Sequence, residues 1–190
     1  MQITSYFIGV KLDSAQFVDL FIALQRYFQS HNIDQSVVLQ NILSMHITMY
    51  YLDAGLGMDE ETQLIDDASR LSIKYRDLSI TELKVGHFGA KDDYRVCYLN
   101  CLPGGIFSEI NQYLTGTYGH DHIPENQFEF VPHISLFRIV DVAIYQEHKD
   151  AIESLIGNHI KDIDVSTLAK DIRLYKVCSL YRPEIQIELN

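Results

Sequence analysis

The order of elements along the sequence predicts an α+β chain of two like halves, each running strand–helix–strand–helix–strand. Three observations carry this. Apolar periods of two and of about 3.6 residues alternate along the chain, and their order repeats once. A short motif, His46-Ile47-Thr48, recurs as His133-Ile134-Ser135, each time among apolar residues. The motif also falls at equivalent places: from Val10 to His46 is 36 residues in one half, and from Cys101 to His133 is 32 in the other.

The elements follow in order. Residues 3–10 are β-branched or aromatic and alternate, which predicts a strand. Asp13 or Ser14 can cap a helix carrying Phe17, Leu20, Phe21, Leu24 and Phe28 at helical spacing. Residues 45–52 predict a second strand, broken by Asp53-Ala54-Gly55-Leu56-Gly57. Residues 59–71 place Leu64, Ile65, Ala68 and Leu71 on one helical face, and residues 78–88 return to strand. After the polar turn Lys91-Asp92-Asp93 the order repeats. Residues 94–101 predict a strand, Pro103-Gly104-Gly105 opens a helix, and residues 129–139 predict another strand. Asp141 can cap a helix carrying Ile144, Ile152, Leu155 and Ile156. Two or three strands, around 163–168, 172–177 and 184–189, close the chain. No linker or low-complexity tract divides the halves, so residues 1–190 are expected to form a single domain. Two like halves pack most simply about a pseudo-two-fold axis, which brings the two motifs face to face.

Composition narrows the function. With 47% hydrophobic residues a sizeable core is expected and disorder is not. No apolar run reaches the ~18 residues of a spanning helix. The N-terminal stretch reads as a strand rather than a signal peptide. A soluble cytoplasmic protein, monomeric and without membrane contact, is expected. Cys97, Cys101 and Cys178 are odd in number and form no Cys-x-x-Cys pair, which argues against a disulfide framework or a zinc site. Cys97 and Cys101 would share a strand face roughly 13 Å apart, too far to bond; buried reduced thiols are expected. A net charge of −11 excludes a broad grip on long nucleic acid. Any phosphate ligand must be small or met by a local cluster of cations.

In a strand, residues i and i+2 share a face. His46 therefore points with Thr48, and His133 with Ser135, while Ile47 and Ile134 point into the opposite layer. A cleft between two such faces holds two imidazoles, two hydroxyls and no carboxylate. Hydroxyls can donate to the non-bridging oxygens of a phosphate. Two imidazoles on opposite sides can act as base and acid in an in-line displacement, each proton transfer typically worth ~10²–10⁴-fold. Such chemistry needs no metal and no cofactor, and either histidine can take either role. A lone His-x-(Ser/Thr) is expected about once by chance in a chain with eight histidines. Two at matching places stand against ordinary strand histidines.

The flanked motifs, MHITMYYL and PHISLFRI, with the intervening ITELKVGHFGAKDDYRVCYLNC as a middle hairpin, resemble the two-histidine (2H) phosphoesterase superfamily, in particular its 2′,5′ RNA ligase and RNA 2′,3′-cyclic phosphodiesterase members. The resemblance covers most of the chain. It implies a bilobal α+β fold with antiparallel sheets flanking a central cleft. It implies metal-independent opening of 2′,3′-cyclic phosphates, or cleavage of related 2′-linked or cyclic phosphodiesters, on a small nucleotide, cyclic phosphate or RNA end. Carried over, His46 and His133 match the acid–base pair, and Thr48 and Ser135 the phosphate-binding hydroxyls. Arg138 stands five after His133, where many relatives carry a phosphate-contacting arginine. Simple alternation sends it to the wrong face, so it needs a bulge or a strand end; otherwise it forms a surface salt bridge. Tyr50 and Phe137 share the cleft-facing parity of their motifs and can stack on a base, or else fill the core. Two other functions fit the same residues: a nucleotide-binding module without turnover, and an enzyme degrading a signalling oligonucleotide such as a 2′,5′-oligoadenylate or a cyclic oligonucleotide.

Other histidines are less telling. His120-Asp121-His122 suggests a metal site but lacks an evident third ligand, and no metal is expected. His31 and His159 suit helix C-termini, and His87 a structural place in the hairpin. Lys84, Lys91 and Arg95 are candidates for a local positive patch, or a solvated charge cluster.

Overall fold

The structure, a computed structural model, describes residues 2–90, 93–119, 128–179 and 185–189. Its elements are β1 (Gln2–Leu12), α1 (Val18–Ser30), β2 (Val37–Leu39), β3 (His46–Leu52), α2 (Met58–Lys74), β4 (Glu82–Ala90), β5 (Asp93–Leu102), α3 (Gly105–Tyr118), β6 (His133–Ile139), α4 (Val142–His159), β7 (Ala169–Ser179) and β8 (Ile185–Leu189). They build two antiparallel four-stranded sheets, ordered β3-β1-β7-β8 and β2-β6-β5-β4.

The two halves are related as the sequence predicts, and they are also interlaced. In the first sheet β1 lies between its own motif strand β3 and β7, the last strand of the second half. In the second sheet β5 lies between β6 and β4, the last strand of the first half. The helices follow the same exchange. Helix α3 packs on β3, and α1 packs on α4 with Phe28 edge-on to Phe137 of β6 at 5.4 Å. Helix α2 covers β7, and α4 covers β4 and β5. The short β2 and the C-terminal β8 are additions at the sheet edges.

Local chemistry sets the boundaries. Helix α4 starts where expected, with Asp141 Oδ1 accepting from the Ile144 amide at 3.1 Å. The expected cap at Asp13 or Ser14 is not found: a 3-10 turn over Ser14–Phe17 comes first, without a side-chain cap, and α1 begins at Val18. The expected strand around 163–168 is replaced by 3-10 turns at Ile160–Asp162 and Val165–Thr167. There Asp164 Oδ1 accepts from the Ser166 amide at 3.1 Å and its hydroxyl at 2.6 Å, a local pairing that competes with a ladder. Strand β6 begins at His133 rather than at 129, directly after Pro132, which has no N–H to give.

The motif isoleucines Ile47 and Ile134 are wholly buried, each contributing about 1.5–3 kcal/mol by removal from water. They anchor both motif strands to the helical layers. Cys97, Cys101 and Cys178 are free and buried; burial pushes the Cys97 thiol up to about 12 and Cys101 higher still. Among the described residues no helix is long and apolar enough to cross a membrane.

Candidate active site

Strands β3 and β6 are neighbours where the two sheets meet, and both line a cleft of about 690 Å³. His46, Thr48, His133 and Ser135 all open onto it. Two motifs 87 positions apart, at His46 and His133, thus share one space.

Each imidazole is fixed in the same way. His46 Nδ1 lies 2.6 Å from the Ser44 carbonyl, and His133 Nδ1 lies 2.8 Å from the Val131 carbonyl, in each case two residues upstream. A carbonyl only accepts, so Nδ1 carries the proton and Nε2 of the neutral ring presents a lone pair. Both rings are braced by aromatics. Phe7 stacks on His46 at 4.4 Å, with Tyr175 at 5.5 Å. Phe88 meets His133 edge-on at 4.6 Å, with Tyr98 at 5.3 Å. This packing strips water from the rings and disfavours their charged forms. Burial takes His46 from 6.5 down to about 4, partly opposed by the Ser44 carbonyl and helped by the field of His133. Burial lowers His133 as well, against the pull of the Val131 carbonyl.

A β-bulge follows each motif at the same point. The β1–β3 register steps from Thr48 to Tyr50, leaving Met49 unpaired, and the β5–β6 register steps from Ser135 to Phe137, leaving Leu136 unpaired. Each bulge reverses the alternation beyond it. Arg138, in register with Val96, therefore turns to the cleft and lines it, as the sequence required of a bulge. The same reversal turns Tyr50 away from the cleft, against the expected parity. It is buried towards α3, its hydroxyl donating to the Gly119 carbonyl at 2.5 Å. Tyr51, the counterpart of Arg138, lines the cleft instead. Phe137 is likewise sent into the core, against Phe28 and Tyr145, and meets the cleft only at its wall. The bulged carbonyls are each taken by an outside donor: Met49 O by Asn111 Nδ2 at 2.7 Å, and Leu136 O by the Gln40 amide at 2.8 Å.

The rest of the lining corrects the sequence reading at two points. Glu129 lines the cleft, so it does contain a carboxylate, and Arg138 is the one Lys or Arg among its described lining residues. Lys84 and Arg95 supply no positive patch there: they pair with Glu82 at 3.1 Å and Asp93 at 2.8 Å on the surface. Lys91 lies outside the described residues. Phe88, Phe128 and Phe130 add aromatic wall that sequence reasoning missed. The bracing rings Phe7, Tyr175, Phe88 and Tyr98 come from strands other than β3 and β6, so no residue beside either motif signals them.

His87 is structural, its Nε2 2.6 Å from the buried Tyr145 hydroxyl. His31 and His159 bond the Tyr27 and Leu155 carbonyls at the ends of α1 and α4, as helix C-termini favour. His120 and His122 lie outside the described residues. Among the described residues no three metal-ligating side chains come together.

The position of the His133 ring depends on Gly86. A β-carbon there would meet Tyr98 Cζ at 2.6 Å, so the Tyr98 ring lies where only glycine permits. Gly86→Ala is expected to displace Tyr98 and to cost about 1–3 kcal/mol of stability as overpacking does. In NMR spectra the ring resonances of His133 should shift while those of His46 stay.

The sequence matches no family model and no curated protein. Solved structures match over nearly the whole chain. TT0787 of Thermus thermophilus superposes with a TM-score of 0.62 at 15% identity, covering 98% of this chain and 96% of its own. Escherichia coli LigT complexed with 3′-AMP gives 0.55 at 14% identity, over 99% and 96%. The conserved protein of unknown function Atu0111 from Agrobacterium tumefaciens gives 0.56 at 12% identity, over 97% and 83%. The chain therefore has the two-half fold of these proteins.

Proposed function

We propose that this chain, on the fold it shares with LigT, is a two-histidine phosphoesterase: a metal-independent phosphodiesterase that opens 2′,3′-cyclic phosphates, or cleaves a related 2′-linked phosphodiester, on a small nucleotide or RNA end. The observation that carries this reading is the matched imidazole pair. Both rings open onto one cleft, both are tied at Nδ1 to a carbonyl two residues back, and both leave Nε2 for a ligand. E. coli LigT has been solved with 3′-AMP and with phosphate, ligands of the chemistry this cleft would hold.

The residues divide the reaction among them. Water attacks phosphorus while one Nε2 takes its proton. The bond from phosphorus to the ribose oxygen breaks, and the other imidazole, protonated, gives its proton to that oxygen. One water is consumed, and solvent exchange resets the two rings. Thr48 and Ser135 hydroxyls donate to the non-bridging oxygens, and the Arg138 guanidinium faces the same charge. The net charge of −11 and the single cation among the described lining residues favour a short ligand over long RNA.

A panel of 2′,3′-cyclic mononucleotides, 3′,5′-cyclic mononucleotides and 2′,5′-linked oligonucleotides tests the proposal. Turnover of the first is expected, within about twofold of its rate when excess chelator is present. Loss of activity on chelation would move the chemistry to a metal and bring His120 and His122 back into question. Saturable binding without product would leave a nucleotide-binding module.

A further inference from the structure

We infer that Glu188 is a specificity-determining residue: by holding Lys11 and Arg173 on the His46 side of the cleft, it disfavours a second phosphate group at that place. This rests on the phosphate site proposed above. Lys11 is the register partner of His46, and cross-strand partners present their side chains on one face. Arg173 is the register partner of Gly9, itself paired with Thr48. A lysine one strand from the base–acid pair and an arginine two strands from a phosphate-binding hydroxyl are placed for a second phosphate group.

Both cations are turned to β8 instead. Lys11 Nζ lies 2.8 Å from Glu188 Oε2, and Arg173 Nε lies 3.7 Å from Glu188 Oε1. Asp171 adds a partner to Arg173 at 3.0 Å. Glu188 stands opposite Tyr175, whose ring is 5.5 Å from that of His46. Both oxygens of this one carboxylate thus serve cations on the His46 side of the cleft. The pseudo-two-fold equivalents in the other lobe are uncharged: Asn100 is paired with His133, and Gly86 lies beyond Tyr98 from Ser135. The charge is therefore a property of one side of the site and not of the repeated scaffold. A ligand with one phosphate leaves Glu188 in place. A ligand with two must displace it from Lys11 and Arg173, and meets its charge in doing so.

Calorimetric titration of the whole chain with inorganic phosphate and with pyrophosphate tests this. In the unaltered protein phosphate is expected to bind at least about threefold more tightly than pyrophosphate. In Glu188→Gln, an isosteric change on an edge strand, the ratio should move at least about tenfold in favour of pyrophosphate, since a competing charge is removed from two cations. Adding Lys11→Gln to Glu188→Gln should cancel most of that move. A purely structural role would weaken both ligands alike and leave the ratio unchanged, and that result overturns the inference. A shifted ratio in a protein that turns over no 2′,3′-cyclic nucleotide would keep the role of Glu188 and overturn the enzymatic reading instead.

Discussion

Replacing His46 or His133 by alanine is expected to lower kcat on a 2′,3′-cyclic nucleotide by about 10²-fold or more, each on its own. The two rings are asked to do different parts of one displacement, so losing either stops the proton traffic at one end. The double replacement should then cost little more than the worse single one, because base and acid act as a unit. Neither change should unfold the protein. The anchors of the motif strands are Ile47 and Ile134, which are wholly buried on the other face, and the imidazoles contribute no large apolar area. Steady-state kinetics with a thermal melt of each variant checks this. A kcat loss under about fivefold in either variant, with the fold intact, would remove that histidine from the chemistry.

Anion binding is expected to take up a proton, tightening as pH falls by up to about tenfold per unit. In the empty cleft burial holds His46 near 4 and His133 below its ordinary 6.5, so both are neutral at pH 7. The proposed reaction needs one of them charged. A bound anion offsets the cost of burial and raises the pKa of the ring it faces. The bound state then holds more protons than the free state, so affinity gains as pH falls from the pKa of the complex towards about 4. Sulfate is the cleanest probe, since its own charge is constant over this range. Its Kd should fall between pH 8 and pH 5, and calorimetry in buffers of different ionisation enthalpy should count net proton uptake. For the same reason kcat/KM should decline as pH rises above 6.5. The fold itself carries the opposite sign. An unfolded histidine binds its proton first, so stability in the absence of anion should decrease as pH falls from 6.5 towards 4. A sulfate affinity flat from pH 5 to pH 8 with no proton uptake would mean that neither imidazole meets the anion.

Much of this site could be read from residue order because its signals are short and local. His46, Thr48, His133 and Ser135 depend only on strand alternation, and that alternation is regular from His46 to Thr48 and from His133 to Ser135. It fails one residue later. The run Met49-Tyr50-Tyr51-Leu52 is apolar or aromatic throughout, so no polar residue marks which side chain turns outward. The bulge at Met49 is settled by partners distant in sequence, among them the Asn111 side chain that takes its carbonyl. Arg138 is different: a charged residue on the wrong parity leaves a bulge, a strand end or a surface salt bridge open, and the register shows the bulge. The three-residue β2 is too short for periodicity to show, and residues 163–168 look like a strand until Asp164 is seen to satisfy its neighbours locally. The exchange of β4 and β7 between sheets left no trace in residue order, because an exchanged strand and a retained one bury the same pattern.

That exchange bears on how the molecule comes into being. During synthesis the sheet bearing His46 lacks its third strand until residues 169–179 have left the ribosome, however early β1 and β3 emerge. A cut between β4 and β5 would give two fragments, each holding a strand whose ladder partner is on the other piece. Neither could close its own sheet, and each would expose an edge inviting the other. The proposed histidine pair is thus brought to one cleft only once both exchanged strands are in place.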